Sequence, residues 1–112
     1  MSLVNIGPFR EKSVPAALQV TFTDSAGTAL NITSMTVKFV YKPVNGADGD
    51  ETERTGSVVD GSSGIAKYVW VEADTTTAGS YRGVMWAYDA DEQYASDEYC
   101  WIVQAGLVPS TI

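Results

Sequence analysis

The stretch Ala73-Asp74-Thr75-Thr76-Thr77-Ala78-Gly79-Ser80-Tyr81-Arg82-Gly83 joins two runs of the chain that have the composition of β-strands. A tyrosine directly after such a polar turn is typical of a tyrosine corner. In that feature the hydroxyl bonds to backbone a few residues upstream and ties together the two sheets of a β-sandwich. The sequence therefore predicts a structural corner formed by Asp74, Gly79 and Tyr81, with the Tyr81 hydroxyl bonded to backbone between Asp74 and Gly79.

The position two residues after Tyr81 is also informative, because antibody domains have a disulfide-bonded cysteine there. Here that position is Gly83, and Cys100 is the only cysteine of the chain, so no intrachain disulfide can form. A single cysteine suits a reducing compartment. The sequence predicts an all-β fold, namely an immunoglobulin-like β-sandwich of about seven antiparallel strands without a disulfide.

Strand signals recur along the whole chain, and turn residues separate them. The predicted strands are 18–23, 35–41, 53–59, 65–71, 80–88 and 94–104, with a further edge strand or arm at 4–9. No segment of ten or more residues has the period of a helix. A length of 112 residues is that of one domain. We expect a single domain over 1–112, with a core at about 18–104 and a short N-terminal arm at 1–15.

The strand that begins at Tyr81 has two different faces, because alternate residues of a strand point to opposite sides. If Tyr81 points inward, the inward set is small, and large residues of the other sheet should fill the space. These sets are Gly83, Met85 and Ala87 on this strand, and Val20, Phe22, Tyr68 and Trp70 opposite. In the expected topology the strands at 35–41, 80–88 and 94–104 are neighbours. Their outer face would carry a candidate protein interface: Val40, Val84, Trp86 and Tyr88. An exposed apolar patch usually marks an interface. The alternative is that the arm or the loop at 45–51 folds over it.

The composition of the chain argues against catalysis, histidine metal sites and binding to nucleic acid or anionic membranes. The net charge of −7 disfavours nucleic acid and anionic membranes as partners. The chain has no histidine, which removes histidine metal sites and the usual general base. Cys100 lies in mid-strand without a base, so a packing role is expected. We therefore expect no enzyme, no cofactor and no membrane partner.

Two acidic segments could suggest a metal. In a calcium loop that starts at Asp48, Thr52 and Glu53 stand where an oxygen ligand and a glycine are required, so the pattern fails. Asp89, Asp91 and Glu92 fit a hairpin turn. The sequence predicts no metal site. The N-terminus also lacks a basic segment followed by an apolar run, so no secretion signal is expected.

The order of features resembles the small immunoglobulin-like domains of tailed-phage virion proteins. The most similar are the N-terminal domains of phage baseplate upper proteins and of related tail-appendage proteins. The resembling segments are Val20–Thr33, Thr36–Phe39, Gly64–Trp70 and Ala73–Gly83, and the resemblance covers residues 18 to 104. It implies a non-enzymatic structural or assembly module of a phage or prophage particle. Such a module would be assembled into the virion in the bacterial cytoplasm, where it would bind other virion subunits or further copies of itself.

A second hypothesis stays open, in which the domain is a carbohydrate-binding or adhesin-type sandwich module. Its three tryptophans, Trp70, Trp86 and Trp101, could form a platform on which sugars stack. The two hypotheses differ in where aromatic residues reach the surface. A flat apolar patch on the sheet favours protein assembly, whereas aromatics in a groove at the loop ends beside Asp or Asn favour sugar binding.

Overall fold

The computed structural model describes residues 3–46 and 50–106. Asp48, the first residue of the failed calcium pattern, lies outside the described residues. Within them the chain is nearly all β, with nine strands and one short 3-10 helix, so the all-β prediction is confirmed. The strands are β1 (Leu3–Asn5), β2 (Phe9–Arg10), β3 (Leu18–Thr21), β4 (Thr36–Pro43), β5 (Thr52–Thr55), β6 (Ser57–Asp60), β7 (Ile65–Tyr68), β8 (Gly79–Tyr88) and β9 (Gln93–Gln104), and the 3-10 helix spans Glu72–Thr75.

The strands form two sheets. The larger sheet has the order β1-β9-β8-β4-β5, and β2 also pairs with β9. The smaller sheet has the order β3-β7-β6. Both β1 and β2 run parallel to β9, whereas the remaining pairs are antiparallel. The N-terminal segment, expected as an edge strand or an arm, is therefore an edge of the larger sheet.

The structure has more strands than the expected seven, because two predicted segments are each divided. The segment at 4–9 becomes β1 and β2. The segment at 53–59 becomes β5, which pairs with β4, and β6, which pairs with β7, so the chain crosses between sheets at Gly56. A Cβ there would lie 2.7 Å from Val37 Cγ1 and 2.9 Å from the Lys67 carbonyl oxygen. The crossing therefore requires a residue without a side chain.

The two sheets enclose one core that is rich in aromatic rings. All residues predicted to point inward are buried, from Tyr81 to Ala87 on β8 and from Val20 to Trp70 opposite. Phe39 lies at the centre, where its ring is 5.0 Å from the ring of Tyr68 and 5.8 Å from that of Trp101. Phe9 of β2 packs edge-on against Trp70 at 5.3 Å. The N-terminal strands therefore belong to the core as well as to the sheet.

The glycine at position 83 has a steric reason. A Cβ at this position would lie 2.8 Å from Tyr41 Cβ and 2.9 Å from Phe39 Cζ. Contacts this short force neighbouring atoms to move. The aromatic rings of β4 thus occupy the volume that a side chain on β8 would need.

A bulge in β9 adjusts the pairing next to β8. Val84 lies opposite Glu98, but Trp86 lies opposite Ala95, so β9 contains one extra residue between these pairs. The hydroxyl of Ser96 fills the bulge, since it accepts a hydrogen bond from the Met85 amide at 2.9 Å. Bulges re-aim the side chains that follow them.

Candidate functional site: the outer face of the larger sheet

The predicted patch lies on the solvent side of the larger sheet, which we call the outer face. As predicted, β4, β8 and β9 are neighbours, and Val40 pairs directly with Val84. Val40, Val84, Trp86 and Tyr88 are each half-buried. They line two shallow depressions of about 350 Å³ and 180 Å³, which share Val40 and Trp86. The four residues thus form one continuous apolar area.

Charged and polar side chains surround this area. Lys38, Glu53 and Gln93 border the first depression, and Lys42, Glu51, Arg82 and Glu98 border the second. Arg82 and Glu98 form an ion pair at 3.9 Å. The Lys38 ammonium donates to the Thr55 hydroxyl at 3.3 Å. An apolar centre with a polar, solvent-accessible rim is the usual anatomy of a protein–protein interface.

The N-terminal arm does not cover the outer face. Because β1 and β2 pair with β9, they extend the sheet at its edge and leave β8 and β4 uncovered. The loop at 45–51 reaches the rim of the face at Glu51. For the described part of the arm, the alternative in which it folds over the patch is therefore wrong. Residues 1–2 of the arm and 47–49 of the loop lie outside the described residues.

The corner at the end of the sandwich has the geometry that the sequence predicted for Tyr81. The Tyr81 hydroxyl donates to the Thr77 carbonyl oxygen at 2.7 Å, within the expected range of acceptors. The ring stacks on Trp101 with the two planes 12° apart, and burial raises the pKa of Tyr81. Gly79, the second predicted corner residue, is the first residue of β8.

Asp74, grouped with the corner by the sequence, is the centre of a separate polar cluster. Its carboxylate accepts hydrogen bonds from the Tyr41 hydroxyl at 2.6 Å, from the Val71 amide at 3.0 Å and from the Tyr68 hydroxyl. Arg54 Nε donates to the same carboxylate at 3.0 Å. Because Tyr41 and Arg54 belong to the larger sheet and Tyr68 to the smaller, the carboxylate joins the two sheets.

The electrostatics of this cluster favour the ionised carboxylate. Burial raises the pKa of Asp74, but the hydrogen bonds and the charge of Arg54 outweigh it, so the pKa lies below its ordinary value. The same contacts act oppositely on the phenols: burial and the bond to Asp74 raise the pKa of Tyr41 to about 12 and also raise that of Tyr68. The cluster is thus fully ion-paired and hydrogen-bonded, as a buried charge requires.

Sequence reasoning did not find the partners of Asp74. Tyr41, Arg54 and Tyr68 lie on three different strands, and nothing in their spacing marks them as a set. The only available signal was an aspartate within a threonine-rich turn, where a capping role is the ordinary reading.

The residues considered for chemistry do not come together. Within residues 3–46 and 50–106, no three His, Cys, Asp or Glu side chains are grouped so that they could hold a metal ion. Cys100 is half-buried on β9, opposite Arg82. Asp89 accepts hydrogen bonds from the amides of Asp91 and Glu92, both at 2.8 Å, as a hairpin turn requires.

No helix in the described part of the chain is long and apolar enough to cross a membrane.

The tryptophan platform proposed for sugar binding does not form. Trp70 and Trp101 are only 2% and 1% exposed, because both point into the core. Their rings pack against each other at 5.2 Å. Of the three tryptophans, Trp86 alone reaches the surface, so a shared stacking surface is excluded.

The geometry defines a class of protein: a two-sheet β-sandwich domain whose exposed feature is the face of one sheet. The structure is similar to the N-terminal domain of ORF48 of phage TP901-1, with a TM-score of 0.62 and 15% identity, covering 92% of this chain and 85% of that one. At this identity the likeness concerns the fold alone. No protein-family model and no curated protein sequence matches the chain.

Proposed function

We propose that this chain is a non-enzymatic, immunoglobulin-like assembly module of a phage or prophage particle, of the baseplate or tail-appendage type. In this proposal it binds another protein subunit through the outer face. The observation that carries the proposal is the half-exposed apolar area around Trp86, which no described segment of the chain covers.

The strand order supports the immunoglobulin-like part of the proposal. The order β9-β8-β4-β5 corresponds to strands G, F, C and C′ of that fold, and β3-β7-β6 corresponds to B, E and D. The bond from the Tyr81 hydroxyl to the Thr77 carbonyl has the form of the tyrosine corner of such sandwiches. In place of a disulfide, the Asp74 carboxylate connects the sheets.

The assignment to a phage particle rests on two observations. One is the sequence resemblance described above, and the other is the similarity of fold to a domain of a TP901-1 protein. A module of this kind would reside in the virion and contact its neighbouring subunits. Such a role needs a stable scaffold and an interaction surface, and no catalytic group.

The outer face has the composition expected of such a surface. Interface centres are enriched in aromatic residues and depleted in charge, and a few aromatic anchors carry most of the binding energy. Trp86 and Tyr88 are the aromatic residues of the outer face, and both line the larger depression.

Carbohydrate binding has less support. A groove of about 250 Å³ at the end of the sandwich combines Tyr41 and Tyr81 with Asp50 and Asp74. However, the two tyrosines are only 6% and 7% exposed, so their rings offer no stacking surface to a sugar. The Asp74 carboxylate is already occupied by the contacts of the polar cluster.

Particles purified from the organism that encodes the chain provide the test. We expect mass spectrometry to detect the chain in density-banded particles. The variant Trp86→Ala should be lost from them while its melting temperature stays close to that of the wild type. Val69→Ala, which truncates another exposed apolar residue away from the outer face, is the matched control and should be retained. A Trp86→Ala chain that is incorporated normally would contradict the proposal.

A further inference from the structure

Acidic residues lie on both sides of the apolar centre of the outer face. The strand pairing places Glu53 of β5 beside Val40, Val40 beside Val84, and Val84 beside Glu98 of β9. One row across four strands therefore reads acid, apolar, apolar, acid. Glu51, directly before β5, adds a second carboxylate on the same side.

Basic residues lie between these acidic margins. Lys38 and Lys42 are on β4, and Arg82 is on β8. Arg82 is ion-paired with Glu98 across the strand boundary. Among the four strands that carry the apolar area, β5 and β9 thus carry negative charge, and β4 and β8 between them carry apolar and positive side chains. Beyond β9, Leu3 of β1 lies opposite Glu98.

This arrangement conflicts with binding to a second copy. Aligned sheets pack with their strands about 30° from parallel, and a symmetric dimer places the same patch on both sides of a twofold axis. If the axis runs along the strands, β5 of one copy lies over β9 of the other. If the axis runs across the strands, β5 of one copy lies over β5 of the other. When the axis passes through the Val40–Val84 pair, both arrangements place carboxylates of one copy over carboxylates of the other.

We propose that the outer face binds a different protein, whose contact surface carries lysine or arginine on both sides of an apolar centre. This inference rests on the proposed function, which makes the outer face an interface, and it adds the chemistry of the partner. The net charge of −7 acts in the same direction, since it repels a second copy and attracts a basic surface.

The charge-reversed variant Glu53→Lys/Glu98→Lys is a suitable probe of this chemistry. It keeps the apolar and basic centre of the outer face and changes only the sign of its margins. We expect sedimentation velocity at low ionic strength to show wild type and variant as monomers when each is alone. A mixture should associate at least about tenfold more strongly than the wild type does with itself, as complementary rim charges allow. In 1 M salt, where the screening length falls to about 3 Å, the difference should disappear.

The matched control is Glu11→Lys/Glu72→Lys, which changes the net charge by the same amount but lies outside the outer face. Mixed with wild type, it should remain monomeric. Because Glu98 is ion-paired with Arg82, thermal melts of the variants are required. If the double variant is unfolded, Glu53→Lys alone replaces it, with the same expected direction.

The outcomes separate this inference from the proposed function. If the wild type dimerises alone and Trp86→Ala abolishes the dimer, the outer face is an interface, but between copies, and the inference is overturned. If the mixture behaves like the wild type alone, the margins do not select a basic partner, and the inference again fails while the particle experiment still decides the function. Mixed association that survives Trp86→Ala would place the contact elsewhere and count against both.

Discussion

Met85 and Trp86 are neighbours on β8, yet they lie in two different environments. Met85 is fully buried and packs in the aromatic core, whereas Trp86 is half-exposed at the centre of the outer face. The core and the outer face are separated only by the thickness of one sheet. The comparison teaches that one strand can serve stability with one set of side chains and binding with the other.

The two regions also differ in the environment of their charged groups. In the polar cluster beside the core, the Asp74 carboxylate is enclosed by donors from both sheets. On the outer face, charged side chains lie at the rim and remain partly in water, where an ion pair such as Arg82–Glu98 contributes little to stability. We therefore expect substitutions in the first region to change folding and substitutions in the second to change association.

The largest effect should come from Asp74→Ala. The change leaves the Tyr41 and Tyr68 hydroxyls and the Val71 amide without their acceptor. Arg54 also loses its counter-ion but stays partly in water, so the main cost is the buried donors left unpaired, at about 1–3 kcal/mol each. Urea unfolding should show this loss in the free energy of unfolding. A loss below about 1 kcal/mol, the net value of one ordinary hydrogen bond, would show that the cluster does not hold the sheets together.

The adjacent pair on β8 gives the most direct test of the comparison. Met85→Ala leaves a cavity in the core and should lower the free energy of unfolding by about 2–5 kcal/mol. Trp86→Ala should leave unfolding almost unchanged but weaken association by about 2 kcal/mol or more, because aromatic anchors dominate interfaces. Thermal melts and light scattering measure the two quantities. Should Trp86→Ala collapse the melt and leave association intact, the assignment of the two faces is reversed.

Tyr81→Phe should have a smaller effect, because it removes one hydrogen bond and keeps the ring on Trp101. The expected loss is about 1 kcal/mol of unfolding free energy, and more if the Thr77 carbonyl is left without a partner. Chemical denaturation of the two proteins side by side decides this. An unchanged midpoint would mean that the ring alone, and not the hydroxyl, supports the corner.

The polar cluster should make the stability of the fold depend on pH in both the acidic and the alkaline range. The pKa of Asp74 is lowered in the folded state, so its contribution is complete above about pH 4 and is lost as the pH falls through the folded value. The pKa of Tyr41 is raised to about 12, so stability should also be lost as the pH rises from 10 toward 12. Thermal melts of the wild type and of Asp74→Asn across this pH range test both expectations. If the two proteins lose stability equally at acidic pH, the assignment of that loss to Asp74 is contradicted.

Much of the fold follows from the sequence, because strand alternation and turn residues are local signals. Period two along 80–88 identified the buried and exposed sides of β8, including the buried position of Met85 and the half-exposed position of Trp86. The turn before Tyr81 predicted its bond to upstream backbone. The apolar patch followed once β4, β8 and β9 were taken as neighbours, an adjacency that the structure has.

Other features were decided only by tertiary structure. The sequence predicted one strand at 53–59, but the chain changes sheets at Gly56, because Val37 and Lys67 approach it from two different strands. Three of the four donors to Asp74 come from positions 33, 20 and 6 residues away, so no local pattern could assemble them; only the Val71 amide is local. Likewise, Trp101 is buried because its ring packs against that of Trp70 between the sheets, a contact between distant parts of the chain. Local sequence determines which way each side chain points, whereas the partners it meets depend on how distant strands are brought together.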